Sequence, residues 1–269
     1  MTLQMLDALP TPARPVSRLT ATARLRSLAL CASMLATLAA WAPEAARAQD
    51  FPPPPPAAGA LSAAETRWHA ALAAFAQADK EAPPAPDGIV FVGSSTIRMW
   101  KHLAADFPAQ PNVLNRGFGG STLSDCSLLA RELVLRYKPR QVVVYAGDND
   151  LAEGQTPLQV LTSYVRLSAA VRAELPNARI SFISVKPSPS RAALLPQIRE
   201  TNDIVAAYLR TQANSDFIDI YTPMLGSDGR PRTELFLPDM LHMTDAGYRI
   251  WQSAVAPHLL PPETIGARH

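Results

Sequence analysis

The stretch IVFVGSSTIRMW, residues 89–100, decides how the chain is read. Ile89, Val90, Phe91 and Val92 make a short apolar run of β-branched and aromatic residues, the pattern of a strand buried on both faces. The run stops at Gly93, and Ser94, Ser95 and Thr96 precede residues compatible with helix. A strand that ends in glycine and hydroxyls, then turns into a helix, sets those hydroxyls at the carboxyl edge of a sheet. Open α/β folds bind their ligands at that edge. The same turn places a serine beside helix-start N–H groups, which stabilise negative charge. Taken alone, a serine or threonine there is more simply a helix cap. The rest of the chain must supply the chemistry.

Strand-like apolar runs recur at residues 113–114, 141–146, 180–185 and 217–220. The segments between them carry helical periodicity. Cys126, Leu129 and Leu133 mark one face, and Leu161, Tyr164, Val165, Ser168, Val171 and Leu175 a second. Ile198, Val205 and Leu209 outline a third, and Tyr248, Trp251 and Val255 close the chain. Strands alternating with helices imply a parallel sheet covered on both faces. With right-handed crossovers the expected fold is α/β: a three-layer α/β/α arrangement around a flavodoxin-like five-stranded parallel sheet of order 2-1-3-4-5. That order brings together the segments just past the first three strands, residues 93–96, 115–122 and 147–150.

The N-terminal part reads differently. Arg14, Arg18, Arg24 and Arg26 precede an Ala/Leu-rich apolar stretch at 27–41, and Ala46, Arg47 and Ala48 form a small-x-small site. This is the layout of a signal peptide over residues 1–48, so export to the periplasm or beyond the cell is expected. The apolar stretch is shorter than the roughly 20 residues that span a bilayer, so no stable membrane insertion is expected after processing. The leader's five Arg and two acidic residues come out of the chain's 25 basic and 23 acidic ones, leaving 20 and 21. The mature chain is then nearly neutral, and nothing electrostatic points to nucleic acid. Cys126 is the one cysteine left, which excludes an intrachain disulfide in the mature chain. Residues 49–60, with five consecutive prolines at 52–56, read as an extended linker. One domain is expected over 61–269. It opens with a packing helix at 61–82, for which Ser62 and Glu65 are spaced as a capping box.

Three loops and one C-terminal motif carry the chemistry. NRGFGGST at 115–122 has glycines that permit close backbone approach, and GDND at 147–150 offers an amide beside two carboxylates. LPDMLHMTDAGY at 237–248 sets Asp239 three residues before His242. Each is weak by itself: glycine turns are common, and a D-x-x-H is often a surface salt bridge. Together they meet the needs of acyl transfer. A serine hydroxyl needs a base to become a nucleophile. Histidine suits that role near neutrality, and a carboxylate can hold its tautomer. The tetrahedral intermediate needs fixed donors, and the Ser95 and Gly120 N–H groups and the Asn149 amide offer three.

The ordered blocks GSST, NRGFGGST, GDND and LPDMLH resemble the SGNH (GDSL-type) hydrolase family over roughly residues 88–257. The resemblance implies a flavodoxin-like fold and ester hydrolysis without metal or other cofactor. It makes Ser95 the nucleophile, Asp239 and His242 its partners, and Ser95, Gly120 and Asn149 the oxyanion hole. Block one departs from the family wording, with Ser94 where Asp is usual and Thr96 where Leu is; the Gly-x-Ser register favours Ser95. GSSTIRMW and SVKPSPSR (184–191) are most similar to platelet-activating-factor acetylhydrolase and carbohydrate acetylesterases. That implies short acyl groups on a small-molecule, carbohydrate or lipid ester. Lys186, Arg191 and Arg98 are candidates to meet a leaving group or to form salt bridges, and Trp100 reads as core. Two rivals stay open. Asp148, Asp150, Asp239 and His242 are metal-type ligands, as in a metal-dependent phosphoesterase. A catalytically silent envelope-binding module on the same fold is the other. An α/β-hydrolase is excluded because no G-x-S-x-G occurs.

Overall fold

The computed structural model describes residues 55–262. The expected signal peptide at 1–48 and the start of the linker, through residue 54, lie outside the described residues. Helix α1 (Ala60–Glu81) leads into β1 (Ile89–Gly93), the short helices α2 (Ser95–Arg98) and α3 (Leu103–Asp106), and β2 (Val113–Gly117). Then come α4 (Leu123–Leu128), α5 (Ala130–Leu133), β3 (Gln141–Tyr145), α6 (Asp148–Ala152) and α7 (Pro157–Glu174). The chain continues through β4 (Arg179–Ile183), α8 (Leu195–Leu209), β5 (Ser215–Ile218) and α9 (Asp245–Val255).

The sheet is parallel throughout and ordered β2-β1-β3-β4-β5, as the alternation of apolar runs predicts. Every residue of β1 and β3 is buried, because helices cover both faces. Alternate side chains separate into two cores. Val90, Val92, Val142 and Val144 face α1, α4, α7 and α8, packing with Leu123, Tyr164, Leu167 and Ile198. Ile89, Phe91, Val143 and Tyr145 face α9, packing with Trp100, Trp251 and Val255. Trp100 is therefore core, its indole N–H donating to Asp106 at 2.6 Å.

Boundaries differ from the apolar pattern where polar residues enter the ladder. β2 continues through Asn115, Arg116 and Gly117, which pair with Phe91, Val92 and Gly93, so the loop proper starts at Phe118. β5 starts at Ser215 and Asp216. Leu129 separates α4 from α5, which share the face expected of one helix. The capping box at Ser62 and Glu65 does not form. Helix α1 begins earlier, behind Gly59 in the left-handed region, and the Ser62 hydroxyl donates back to the Gly59 carbonyl at 2.9 Å.

Helix α1 is fastened to the domain by charge as well as by apolar contact. Arg116, buried on β2, pairs with Asp79 of α1, and the Tyr137 hydroxyl donates to the same carboxylate at 2.7 Å. The Arg116 guanidinium also lies over the Phe75 and Tyr137 rings, at 4.9 and 4.6 Å from their centroids. Removing one partner of a buried ion pair leaves the other desolvated and uncompensated. Asp79→Ala should therefore cost about 3 kcal/mol. In urea unfolding the midpoint should fall with an unchanged slope.

Candidate active site

Strand β1 ends level with its neighbours: Gly93 pairs with Gly117 on one side and Tyr145 on the other. A Cβ at Gly93 would sit 1.8 Å from the Tyr145 carbonyl oxygen, so only glycine lets the chain pass there. Beyond it, the Ser94 N–H donates to that carbonyl at 3.1 Å, and α2 begins at Ser95. The Tyr248 hydroxyl of α9 donates to the Thr96 carbonyl at 2.8 Å and fixes the new helix from the opposite layer.

This turn separates the two serines. Ser94 is 1% exposed, and its hydroxyl has no protein partner. Ser95 is half-buried, and its Oγ lies 2.9 Å from His242 Nε2. The Asp239 carboxylate takes the opposite ring nitrogen, Nδ1, at 2.7 Å. Its other oxygen accepts the N–H groups of Leu241 and His242, both at 2.9 Å. Those hydrogen bonds, the His242 ring foremost, hold the Asp239 carboxyl down at about 2. An ionised carboxylate can only accept, so Nδ1 carries the ring proton and Nε2 offers its lone pair to the Ser95 hydroxyl. Residues 237–242 reach this arrangement through a tight turn. Met240 stands at φ 55°, its N–H donates to the Leu237 carbonyl at 2.8 Å, and the Leu237 N–H donates to the His242 carbonyl at 2.7 Å.

The donors expected of the loops lie on connected backbone. Gly120 takes a φ of 81°, a turn that favours glycine. Its N–H and that of Ser95 have no acceptor among the described residues. The Ser121 hydroxyl donates to the Phe118 and Gly93 carbonyls, at 2.9 and 3.1 Å, tying the loop to the end of β1. Asn149 donates from Nδ2 to the Ser121 carbonyl at 3.0 Å, which sets its amide beside the Ser121–Thr122 peptide of the same loop. Trp68 of α1 closes the loop's outer side, edge-on to Phe118 with ring centroids 4.9 Å apart.

Of the cations that the sequence offered for a leaving group or for salt bridges, Lys186 and Arg191 form salt bridges. Lys186 is 1% exposed, and its ammonium is committed to Asp148 at 2.8 Å and the Tyr145 hydroxyl at 3.1 Å. Arg191 reaches Asp148 at 3.4 Å and donates to Asn149 Oδ1 at 2.8 Å. Arg98 is exposed, and a Cβ at Gly119 would sit 2.9 Å from its Nε. Asp150 accepts the Leu123 N–H with both oxygens, at 3.0 and 2.9 Å. The four ligands of the metal reading are therefore divided between separate networks. Among the described residues no three His, Cys, Asp or Glu side chains gather around a metal-sized position.

The family described as GDSL-like Lipase/Acylhydrolase matches residues 90–250, which include Ser95, Gly120, Asn149, Asp239 and His242. A Bacteroides fragilis protein assigned as an acylhydrolase is 24% identical, with TM-score 0.60 over 68% of this chain and 93% of its own. A GDSL-like lipase from Bacteroides thetaiotaomicron is 24% identical, with TM-score 0.58 over 72% of this chain and 95% of its own. An acetyl esterase variant with an acetate ion is 17% identical, with TM-score 0.51 over 64% and 95% of the two chains. Among curated proteins none matches. At these identities the structures establish a shared fold. The family match covers more than half of the sequence, and the protein belongs to the GDSL-like lipase/acylhydrolase family. It is a hydrolase of the esterase class.

Asp150 gives a test of the loop anchor. Burial lifts its carboxyl to about 6 against the opposing pull of the Leu123 N–H. The folded pKa is raised, so the native state holds a proton that the unfolded chain has lost between about pH 4 and pH 6. This group's contribution is full below that window and is lost as pH rises through it. Asp150→Asn should remove that dependence, on the order of 2–3 kcal/mol. Urea midpoints at about pH 4.5 and pH 7 should converge in the variant relative to the parent.

Proposed function

We propose that the protein removes short acyl groups, acetyl above all, from a small-molecule, carbohydrate or lipid ester through an acyl-enzyme on Ser95. The observation that carries this reading is the chain Asp239–His242–Ser95, with contacts of 2.7 and 2.9 Å. His242 Nε2 takes the Ser95 proton as Oγ attacks the ester carbonyl carbon. Charge then develops on the carbonyl oxygen, where the Ser95 and Gly120 N–H groups and the Asn149 amide receive it. The imidazolium returns its proton to the leaving alkoxide, and a water molecule repeats the sequence to release the acid.

The preference for short acyl groups is supported by two likenesses. GSSTIRMW and SVKPSPSR are similar to the acetylhydrolase and acetylesterase wording, and the fold is shared with an acetyl esterase bound to acetate. The basic leader, apolar stretch and Ala46-Arg47-Ala48 site support export, so the substrate would be met outside the cytoplasm. Among the described residues no helix is long and apolar enough to cross a membrane.

A fluorophosphonate probe should label Ser95, and EDTA should leave hydrolysis intact. Chelator-sensitive activity without labelling would support the phosphoesterase instead. Ser95→Ala and His242→Ala should each lower hydrolysis of p-nitrophenyl acetate by about 10⁴-fold or more while the melting temperature stays within a few degrees. Retention of folding with full activity in either variant would remove the reading, and labelling with no turnover of any ester would favour the silent module.

Protonation of Nε2 removes the base that Ser95 needs, so activity should rise from acid toward neutral pH. Asp239, held near 2, stays ionised across that range. The acid limb of kcat/KM should therefore have the slope of a single titrating group. A flat profile or a two-proton limb would contradict the assignment.

A further inference from the structure

The buried cluster behind the candidate oxyanion hole takes no part in the proton transfers between Ser95, His242 and the leaving group. Asp148, Lys186 and Arg191 form a three-charge group of one carboxylate and two cations, with Asp148 and Lys186 fully enclosed. Burial alone would push the Asp148 carboxyl up, but the two cations outweigh it and hold it below its usual value. Burying three charges is expensive, and apolar packing of the same volume is often as stable or better. Stability by itself therefore does not explain the cluster.

Its contact with Asn149 does. An amide side chain can turn over by 180°, exchanging its donor NH2 for its acceptor oxygen. Arginine has five donors and no acceptor, so whatever faces it must be Oδ1. Arg191 Nη2 occupies that position at 2.8 Å, while Asn149 Nδ2 meets the Ser121 carbonyl at 3.0 Å. One Nδ2 hydrogen is used there, and the second remains for a ligand. A cationic donor on Oδ1 also polarises the amide and strengthens Nδ2–H as a donor. The guanidinium is itself held from behind by Asp148, and its side chain is 15% exposed.

We propose that Arg191, braced by Asp148, is a positioning residue that fixes which atom of the Asn149 amide faces the oxyanion. This rests on the reading of Asn149 as an oxyanion donor. Lys186 keeps Asp148 paired when Arg191 is removed, and for that reason Arg191 can be changed without leaving the carboxylate bare.

A double-mutant cycle on the whole chain with p-nitrophenyl acetate separates the possibilities. Asn149→Ala alone should lower kcat by about 10²-fold with little change in KM. Arg191→Met should lower kcat roughly tenfold or more, again with KM within about twofold. Arg191→Lys should recover part of that loss. In the Asn149→Ala background Arg191→Met should cost less than about twofold further, because the residue it positions is gone. A full additional loss in that background would overturn the proposal, showing that Arg191 acts on substrate or on the fold directly. A raised KM with unchanged kcat would overturn it in favour of substrate binding. If Asn149→Ala itself leaves kcat unchanged, the oxyanion reading fails first and the proposal falls with it. Should Arg191→Met fail to fold by circular dichroism, the Arg191→Lys cycle decides the matter on the same criteria.

Discussion

Parallel register at the centre of the sheet is the constraint on which the site depends. Gly93, Gly117 and Tyr145 lie side by side across β1, β2 and β3, so three chain segments leave the sheet at one level. Parallel strands all deliver their carboxyl ends to the same edge, and the 2-1-3 order makes these three neighbours. A one-residue slip in β1 would turn Phe91 and Val92 to the wrong cores and move Ser95 away from His242. The site therefore takes its precision from apolar burial. Completely buried strands set the register, and the register sets where the hydroxyl and the donors begin.

Around that frame, charges are handled in two opposite ways. Asp239 is 49% exposed, and the His242 ring together with two backbone N–H groups keeps it ionised at small cost. Asp148 and Lys186 are enclosed, where an unpaired charge would cost several kcal/mol, so each needs the other. Asp150 is enclosed with a backbone donor in place of a cation, and its carboxyl rises accordingly. Three aspartates within one site thus meet three environments, decided by which partner each has.

The sequence made the sheet order legible because β1 and, after Gln141, β3 are continuous apolar runs, the pattern of a doubly covered strand, and such runs alternate with helical segments. It was less informative at β5 and the second half of β2. There the backbone pairs although Ser215, Asp216, Asn115 and Arg116 carry polar side chains, and ladder hydrogen bonds do not depend on side-chain polarity. Asp239 and His242 could be singled out because both fall within one short turn. Lys186 and Arg191 could be noticed, but charge alone does not tell a substrate contact from an internal salt bridge. That difference lies in burial, and burial depends on how β4 and the segment after it meet α6. Ser94 and Ser95 show the same limit: one residue of backbone rotation buries one hydroxyl and presents the other.

Helix α1 changes what counts as the site. The family match begins at residue 90, and α1 lies wholly before it. Yet Trp68 packs on Phe118, and its ring comes within 3.9 Å of where a Gly120 side chain would begin. The same helix anchors Arg116, on the strand that runs directly into the glycine loop. Aromatic edge contacts are worth about 1 kcal/mol beyond the area they bury, and a buried ion pair is costly to break. Two such contacts therefore oppose any displacement of the loop bearing the Gly120 N–H. Donors in an oxyanion hole are effective because they are fixed before charge appears. A helix outside the family's own segment supplies part of that fixity, and the candidate hole is as rigid as its attachment to α1.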